Sequence, residues 1–307
     1  MNPVLFITFD TNPLQSITVG VVRIEKLEIG SVNRSREEAL FYGGKGINVS
    51  TVLKNLGVDS VALGFVAGFT GKAIEEGVAA LGVKADFITV SDGVSRINVK
   101  LKAGEETEIN GKGPNISDAE LEELYKKLDG LTDADCLVLA GAIPPSLPSD
   151  VYEKIMARLA GKKVDIVVDA TKDLLLNVLK YHPFLIKPNN FELGEMFGVT
   201  LHSDEEIEEY AKKLQALGAR NVAVSMAGDG SMLITETGET YRMGVPKGKV
   251  VNSVGAGDSM VAGFIASYFA EHDYKKALKY GAATGSATAF SEGLATKDQV
   301  EKLLGQF

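Results

Sequence analysis

Cysteine and histidine are scarce in this sequence, and their scarcity excludes two common kinds of site. The single cysteine, Cys136, rules out an internal disulfide, and it lies in the apolar run 136–140, which is typical of a buried strand. A core thiol is therefore expected there rather than a nucleophile. The three histidines, His182, His202 and His272, have no metal-ligand spacing, so surface or packing roles are predicted for all of them.

Positive charge and long hydrophobic runs are also lacking. The net charge of −9 argues against a nucleic-acid surface, which needs a basic face, but it leaves open a local basic pocket for an anionic metabolite. No apolar run reaches membrane-spanning length, and no secretory leader opens the chain. We therefore expect a cytoplasmic protein without a nucleic-acid or membrane partner. The hydrophobic content of 45% is ample for a full core.

From about Leu56 onward, short apolar runs alternate with helical patterns. This alternation predicts an α/β fold, in which a mostly parallel central sheet is covered by helices on both faces. Ligands in such folds bind at the carboxyl ends of the strands.

Two segments, 17–42 and 86–110, alternate apolar and polar residues without intervening helices. They predict a small antiparallel sheet that forms a lid over the cleft of the main domain. In the second segment Ile97, Val99 and Leu101 share one face. That apolar face needs a cover, either from its own domain or from a second subunit in a homodimer.

A glycine-rich helix start at residues 252–264 is the most informative pattern. Gly255, Ala256 and Gly257 let the backbone curl so that successive N–H groups point at one spot. The helix N-terminus adds partial positive charge, so a transferring phosphoryl group fits there. Asp258 follows at once, where its carboxylate is able to take a proton from an attacking hydroxyl. The alternative is an ordinary strand-to-helix turn.

A second glycine-rich helix start spans residues 43–48, and it lacks the spacing of a Walker A loop. Lys45 is a point charge suited to a phosphate. Asn48 lies one turn into the helix, where its amide suits sugar hydroxyls. The alternative is a tight turn with a solvated lysine.

Two further segments follow predicted strands. In 187–192, Asn189 and Glu192 share one helical face and are suited to hold the water shell of Mg²⁺. The alternative is an N-cap asparagine with a capping-box glutamate. The segment 225–230 is either a hairpin turn or a loop lying against a nucleotide.

Together these motifs resemble one family, the ribokinase-like carbohydrate kinases, also called the PfkB family. The resemblance runs from about residue 24 to the C-terminus and rests on Gly43-Gly44-Lys45-Gly46-x-Asn48, Lys187-Pro188-Asn189-x-x-Glu192, Ala227-Gly228-Asp229-Gly230 and Val254-Gly255-Ala256-Gly257-Asp258. It implies a ribokinase-like three-layer sandwich, in which residues 1–307 form a single kinase domain and about 17–42 and 86–110 form its lid.

The resemblance also implies roles for individual residues. Asp258 would be the catalytic base, and the backbone of Gly255, Ala256 and Gly257 would stabilise the developing charge on the γ-phosphate. Substrate would be bound by Gly43, Gly44, Lys45, Asn48, Arg96 and Asn98. ATP would be bound by Lys187, Asn189, Ser225, Gly228, Gly230 and Ser286, and Mg²⁺ by Asn189 and Glu192 through water.

The cations Lys45 and Arg96 favour a phosphorylated acceptor, because a neutral sugar does not require them. Within the family, the segments 96–100 and 106–111 look like those of members that convert fructose 1-phosphate to fructose 1,6-bisphosphate at the expense of ATP. Members that phosphorylate tagatose 6-phosphate are the alternative. A sugar-phosphate or nucleotide sensor that has lost catalysis is a third hypothesis.

The sequence departs from the family pattern at two places. Asn252 stands where many members have an aspartate, which leaves a monovalent-cation site undecided. After Pro13 the usual substrate aspartate is missing, and we do not transfer its role to Asp10. With suitable codons, residues 9–13 read one base over give Leu-Thr-Leu-Thr-Pro, and residues 14–18 read two bases over give Ala-Ile-Asp-Tyr.

Both readings resemble the family pattern. We therefore hypothesise that three compensating base insertions in the DNA sequence account for the departure after Pro13.

Overall fold

A computed structural model describes residues 5–10, 16–141, 143 and 147–307, with the backbone alone for residues 10, 16–21 and 106. The departure from the family pattern falls largely on residues 11–15, which lie outside the described residues. The explanation for the missing substrate aspartate therefore stays a hypothesis from the sequence.

The strands run in chain order from the N-terminus. They are β1 (Phe6–Asp10), β2 (Ser16–Arg23), β3 (Glu37–Gly43), β4 (Ser60–Leu63), β5 (Phe65–Ala67), β6 (Lys84–Ala85), β7 (Ile88–Val90), β8 (Ile97–Ala103), β9 (Glu105–Asn110), β10 (Cys136–Ala140), β11 (Asp165–Asp169), β12 (Leu185–Ile186), β13 (Asn221–Ser225), β14 (Ser231–Ile234) and β15 (Thr240–Met243).

The α-helices are numbered in the same way. They are α1 (Lys45–Asn55), α2 (Gly68–Ala80), α3 (Asp118–Asp129), α4 (Val151–Leu159), α5 (Lys172–Val178), α6 (Asn190–Phe197), α7 (Asp204–Ala216), α8 (Ala256–Glu271), α9 (Tyr274–Ala289) and α10 (Lys297–Leu304). Short 3₁₀ turns occur at Leu179–Tyr181 and Ala227–Asp229. None of the helices in the described part of the chain combines the length and apolarity needed to cross a bilayer.

The large sheet has the strand order β15-β14-β13-β12-β11-β10-β1-β4-β6 in the described residues. Strands β13 to β6 pair in parallel, whereas β14 and β15 add an antiparallel edge. The predicted mostly parallel sheet is therefore confirmed. It brings the carboxyl ends of β11, β12 and β13 side by side at one edge of the sheet.

Both faces of this sheet are buried, which accounts for the continuous apolar runs in its strands. In β10, Leu137 and Leu139 pack against the cluster that includes side chains of α3, α4 and α7, while Val138 packs against α1, α8 and α9 on the other face. The sheet covered by helices on both faces, which the alternating pattern predicts, is thus confirmed, as is the three-layer sandwich that the resemblance implies. Cys136 is fully buried in β10, where burial raises the pKa of its thiol, so the predicted core role holds.

The helix that begins with the glycine-rich motif is held by unusually close packing. A Cβ at Gly263 of α8 would lie 2.3 Å from Oγ1 of Thr284 on α9, so only glycine lets the two helices approach this far. Ser259 and Thr288 join the same helices through a buried hydroxyl pair at 2.7 Å. This contact fixes the position of the first turn of α8.

A four-stranded sheet of order β3-β2-β8-β9, which we call the lid, is the predicted small sheet. Its outer pairs, β3–β2 and β8–β9, are antiparallel hairpin-like pairs as expected, and the central β2–β8 pair that joins them is parallel. The predicted second segment, 86–110, also includes β7, which pairs with β5 rather than with the lid. The lid strands of that segment therefore begin at Ile97.

Candidate active site

The carboxyl ends of three neighbouring strands supply polar side chains to one place. Asp169 is the last residue of β11, Lys187 follows β12 directly, and Ser225 is the last residue of β13. An isolated parallel bridge joins Ser225 to Asn189, which continues the sheet by one step. The sequence-based expectation that ligand-binding residues gather at this edge is consistent with this arrangement.

The first turn of α8 faces the same edge. Gly255 precedes the helix with φ of 79°, a left-handed conformation that favours glycine. Asp258 follows and is only 6% exposed. Asn48, on α1, donates from Nδ2 to Oδ2 of Asp258 over 2.8 Å. The two glycine-rich helix starts, more than 200 residues apart in the chain, therefore meet in space.

The start of α1 depends on Gly44. This residue has φ of 158° and ψ of 158°, a combination that is essentially restricted to glycine. The sharp change of direction turns the chain from β3 of the lid into α1, so Lys45 and Asn48 project from the junction between the lid and the main domain. The predicted tight turn is present, but Lys45 is not simply solvated.

Asp169 connects the two lysines of the site. Its Oδ2 lies 3.1 Å from Nζ of Lys45, and its Oδ1 lies 3.2 Å from Nζ of Lys187. Asp169 and Lys187 are both buried, whereas the Lys45 side chain is 41% exposed. A Cβ at Gly257 would lie 3.2 Å from Nζ of Lys187, so this ammonium group lies against the first turn of α8. The cations thus sit beside the predicted phosphoryl site.

The two buried carboxylates have opposite pKa shifts. Burial, followed by repulsion from Asp169, raises the pKa of Asp258 to about 6, against the opposing effects of Lys45, Asn48 and Lys187. For Asp169, burial alone would raise the pKa, but Lys187 and Lys45 lower it below its ordinary value. Such a pair typically divides into one permanently ionised group and one group that exchanges a proton near neutral pH.

Lys45 is held in its charged form. Burial by itself would lower its pKa, but attraction to Asp169, then to Asp258 and more weakly to Glu192, raises the pKa above its ordinary value. The carboxylate of Glu192 therefore lies within electrostatic reach of the Lys45 ammonium group. The candidate site therefore holds two lysines among three carboxylates, with Asp169, Asp258 and Lys187 buried.

The backbone N–H groups ahead of Asp258 are not equivalent. The N–H of Ala256 donates to the carbonyl of Ser253 over 3.2 Å. Those of Gly255 and Gly257 find no acceptor within the described part of the chain. In this conformation, the N–H groups that are available for the expected anion cradle are therefore those of Gly255 and Gly257, and not three consecutive amides.

The predicted magnesium pair also forms the alternative capping arrangement. Oδ1 of Asn189 accepts from the N–H of Glu192, and Oε2 of Glu192 accepts from the N–H of Asn189, both over 2.8 Å. Described residues contain no group of three or more His, Cys, Asp or Glu side chains placed to hold a metal ion. A Mg²⁺ role therefore rests on the remaining Glu192 oxygen and on water, which this ion accepts readily.

The other predicted ligand-binding residues lie on separate elements, namely the loop after β13, the lid strand β8 with its approach, and α9. Gly228 has open space where a side chain would be, whereas a Cβ at Gly230 would lie 2.1 Å from the carbonyl oxygen of Met243. Asn98 in β8 is buried, and its Oδ1 has no hydrogen-bond partner among the described residues. Arg96 lies just before the same strand, and Ser286 lies on α9, half-buried.

Sequence reasoning missed Asp169. It belongs to no glycine-rich motif, and its one signal is a carboxylate at the end of the apolar run 166–168. A polar residue that ends a parallel strand is a site candidate on topological grounds alone. Only the strand order β11-β12 shows that it faces Lys187.

Comparisons with known proteins agree with the fold and show the family. The model of the pfkB family carbohydrate kinases matches residues 16–301. A 1-phosphofructokinase of Bacillus subtilis is 48% identical over 92% of this chain and 93% of its own length. A D-tagatose-1-phosphate kinase of Bacillus licheniformis is 37% identical over 93% of each chain. An Arabidopsis thaliana ribokinase structure has a TM-score of 0.81 at 22% identity over 99% of each chain, which confirms the ribokinase-like fold.

The raised pKa of Asp258 generates a stability prediction. Between its unfolded value near 4 and its folded value of about 6, the folded protein binds this proton more tightly than the unfolded chain does. Its contribution to stability is therefore present at low pH and is lost as pH rises through about 6. We expect Asp258→Asn to be more stable than the wild type by about 1–3 kcal/mol at pH 8, and much less so at pH 4.

Urea unfolding at pH 4, 6 and 8 measures this difference. Asp59→Asn is the control, because its carboxylate is 93% exposed and pairs with Lys54 at the surface. A stability difference for Asp258→Asn that is constant across this pH range, or that matches the control, contradicts the prediction.

Proposed function

This chain belongs to the pfkB family of carbohydrate kinases, and from that premise we propose that it phosphorylates fructose 1-phosphate at its 6-hydroxyl, with ATP as donor and fructose 1,6-bisphosphate as product. The family membership and the relatives already make it a phosphotransferase that acts on a sugar phosphate. The observation that carries the finer proposal is the buried Asp258 at the start of α8, beside Asn48 and Lys45.

In this mechanism Asp258 is the base. Its pKa of about 6 leaves it ionised at neutral pH, yet close enough to neutrality to accept the proton of the sugar hydroxyl as that oxygen attacks phosphorus. Asn48 holds one carboxylate oxygen, which orients the other toward the acceptor. The O–P bond to the sugar forms as the bond between the γ-phosphorus and ADP breaks, and the proton passes to Asp258.

The charge that develops on the transferred group meets positive partners. The start of α8 offers the N–H groups of Gly255 and Gly257. The ammonium group of Lys187 lies against the same turn. Preorganised donors of this kind contribute more than the same donors in water, because they need no reorientation as the charge develops. Mg²⁺ bound through Glu192 and water would neutralise charge on the ATP phosphates.

The acceptor's own phosphate accounts for the cations on the lid side. Lys45 is the more exposed partner of Asp169, and Arg96 precedes the lid strand that carries Asn98. The unpartnered Oδ1 of Asn98 supports a hydroxyl donor on the bound sugar. On the opposite side, the open space at Gly228 supports close approach of the nucleotide to the backbone.

An assay of ADP release with a panel of ketose phosphates tests the proposed reaction. We expect the highest kcat/KM for fructose 1-phosphate, and lower values for tagatose 1-phosphate, tagatose 6-phosphate and fructose 6-phosphate. A preference for either tagatose phosphate would change the proposed acceptor and leave the proposed mechanism in place. No turnover with any of these ketose phosphates would reject the proposed kinase activity and favour the sensor hypothesis.

The role of Asp258 is tested in the same assay. Asp258→Asn should lower kcat by about 10²–10⁴-fold, because the amide cannot accept the proton, while the KM for ATP changes little. For the wild type, kcat/KM should fall as pH drops through about 6, since protonation of Asp258 removes the base. Full activity of the variant, or a wild-type profile that is flat between pH 5 and 8, contradicts the assignment.

Lys45 is predicted to recognise the acceptor's phosphate. Lys45→Met should raise the KM for fructose 1-phosphate at least about tenfold, the effect of one charge-assisted hydrogen bond, with little change in the KM for ATP. Lys54→Met is the matched control, because Lys54 lies at the other end of α1 and pairs with Asp59 at the surface. Equal losses in the two variants contradict the assignment.

We also propose that the lid pairs with the lid of a second copy of the chain. Leu40 of β3 and Ile109 of β9 lie in one cross-strand row and are 58% and 60% exposed. Ile97 of β8 adds a third partly exposed apolar side chain next to this row. An apolar sheet face of this kind is typically covered in the assembled protein.

Sedimentation of the purified protein tests this assembly. We expect a dimer at micromolar concentration for the wild type, and a monomer for the double variant Leu40→Lys, Ile109→Lys, because two buried ammonium groups cannot be accommodated. Ile29→Lys, at a 94% exposed position outside the strands, is the control and should remain a dimer. A monomeric wild type contradicts the proposal.

A further inference from the structure

The loop that presents Lys45 has few side chains of its own to hold it. Residues 43, 44 and 46 are glycines, so apolar packing at the loop depends on the residues at its two ends. Both ends enter one small apolar cluster. Ile47 is fully buried there, and the ring of Tyr42 packs against the same cluster beside Ile74 and Val78 of α2. The cluster therefore supplies the apolar packing at both ends of the loop.

The ring of Tyr42 occupies a notch that exists only because residue 77 is glycine. A Cβ built on Gly77 would lie 2.1 Å from Cδ2 of Tyr42, 2.4 Å from Cγ and 2.5 Å from Cε2. Ala73, one helical turn earlier, is also small and borders the same cluster. Because Cγ lies on the axis of rotation about the Cβ–Cγ bond, flipping the ring cannot relieve such a clash. Either the ring leaves the notch by rotation about the Cα–Cβ bond, or β3 itself moves.

Movement of β3 reaches the site within a few residues. Tyr42 is followed by Gly43 and Gly44, and then by Lys45, which pairs with Asp169. Asn48 lies one turn further and holds Asp258. Displacements of about 1 Å at such positions cost as much as a hundredfold in rate in other enzymes.

We propose that Tyr42 is a positioning residue, whose ring, seated in the Gly77 notch of α2, fixes the glycine loop so that Lys45 and Asn48 meet the acceptor sugar phosphate. The proposal rests on the proposed function for the identity of that acceptor. The tyrosine acts through the loop and touches no reacting atom, so its effect is confined to the acceptor side of the site. The nucleotide side is built on other elements, namely β12, β13 and α9.

A double-mutant cycle tests the contact directly. Gly77→Ala should lower kcat/KM for fructose 1-phosphate about tenfold or more while the KM for ATP stays within about twofold. Tyr42→Ala should lower it as well, and adding Gly77→Ala to Tyr42→Ala should cause no further loss, because the ring that the new methyl group strikes is gone. Gly161→Ala is the matched control, since a Cβ there meets nothing within 4 Å.

A second measurement does not depend on the reaction. Amide hydrogen exchange of residues 42–48 in the ligand-free protein should be faster in Gly77→Ala and in Tyr42→Ala than in the wild type or in Gly161→Ala. If the wild type turns over no ketose phosphate, the proposed function is rejected. The hydrogen-exchange measurement still tests whether the notch holds residues 42–48 in place. If Gly77→Ala does not fold, Tyr42→Ala and the exchange data decide it.

The proposal is overturned by any of three results. One is unchanged kcat/KM and exchange in Gly77→Ala. Another is an equal loss from Gly77→Ala in the presence and absence of the Tyr42 ring. The third is a loss that appears equally in the KM for ATP, which would indicate general destabilisation.

Discussion

The carboxylate of Asp169, buried between two lysines, is the interaction on which the arrangement of the site depends. It joins the end of β11 to the end of β12 through Lys187 and to the start of α1 through Lys45. Without it, the buried ammonium group of Lys187 would lose its carboxylate partner, at a cost of several kcal/mol, and the more exposed Lys45 would lose its partner as well. With it, both ammonium groups have a carboxylate partner at the carboxyl-end edge of the sheet, where we expect phosphate groups to bind.

The same carboxylate separates the proton affinities of the two aspartates. Asp169 has two cationic partners, and they lower its pKa, whereas Asp258 receives one amide donor and repulsion from Asp169, and its pKa rises. Burial is comparable for both residues, so the difference comes from the number and sign of their neighbours. A base near neutrality is thus produced by the placement of a second acid, which is the pattern expected where one carboxylate must exchange a proton and the other must not.

Sequence reasoning recovered the parts of this site that depend on local backbone geometry. Gly44 and Gly255 have conformations that favour glycine, and each directly precedes a helix, so both motifs were visible in the chain together with Lys45, Asn48 and Asp258. The parts that depend on pairing between distant segments were not visible. Asp169 becomes a partner of Lys187 only through the order of β11 and β12, and the parallel β2–β8 pair inside the lid follows from no local signal.

Gly77 illustrates the same limit from the opposite direction. A glycine in the middle of α2 lowers helix stability by about 1 kcal/mol relative to alanine, and nothing within the helix itself requires it. The requirement comes from Tyr42, a lid residue 35 positions earlier in the chain, whose ring occupies the space of the missing side chain. A ring seated in a helix notch tolerates little displacement, because a gap of about 0.5–1 Å removes roughly a quarter to a half of the attraction of a close-packed contact. A loop made almost entirely of glycine, which has the backbone freedom to approach a ligand, thereby acquires a defined position from the rigid elements on either side of it.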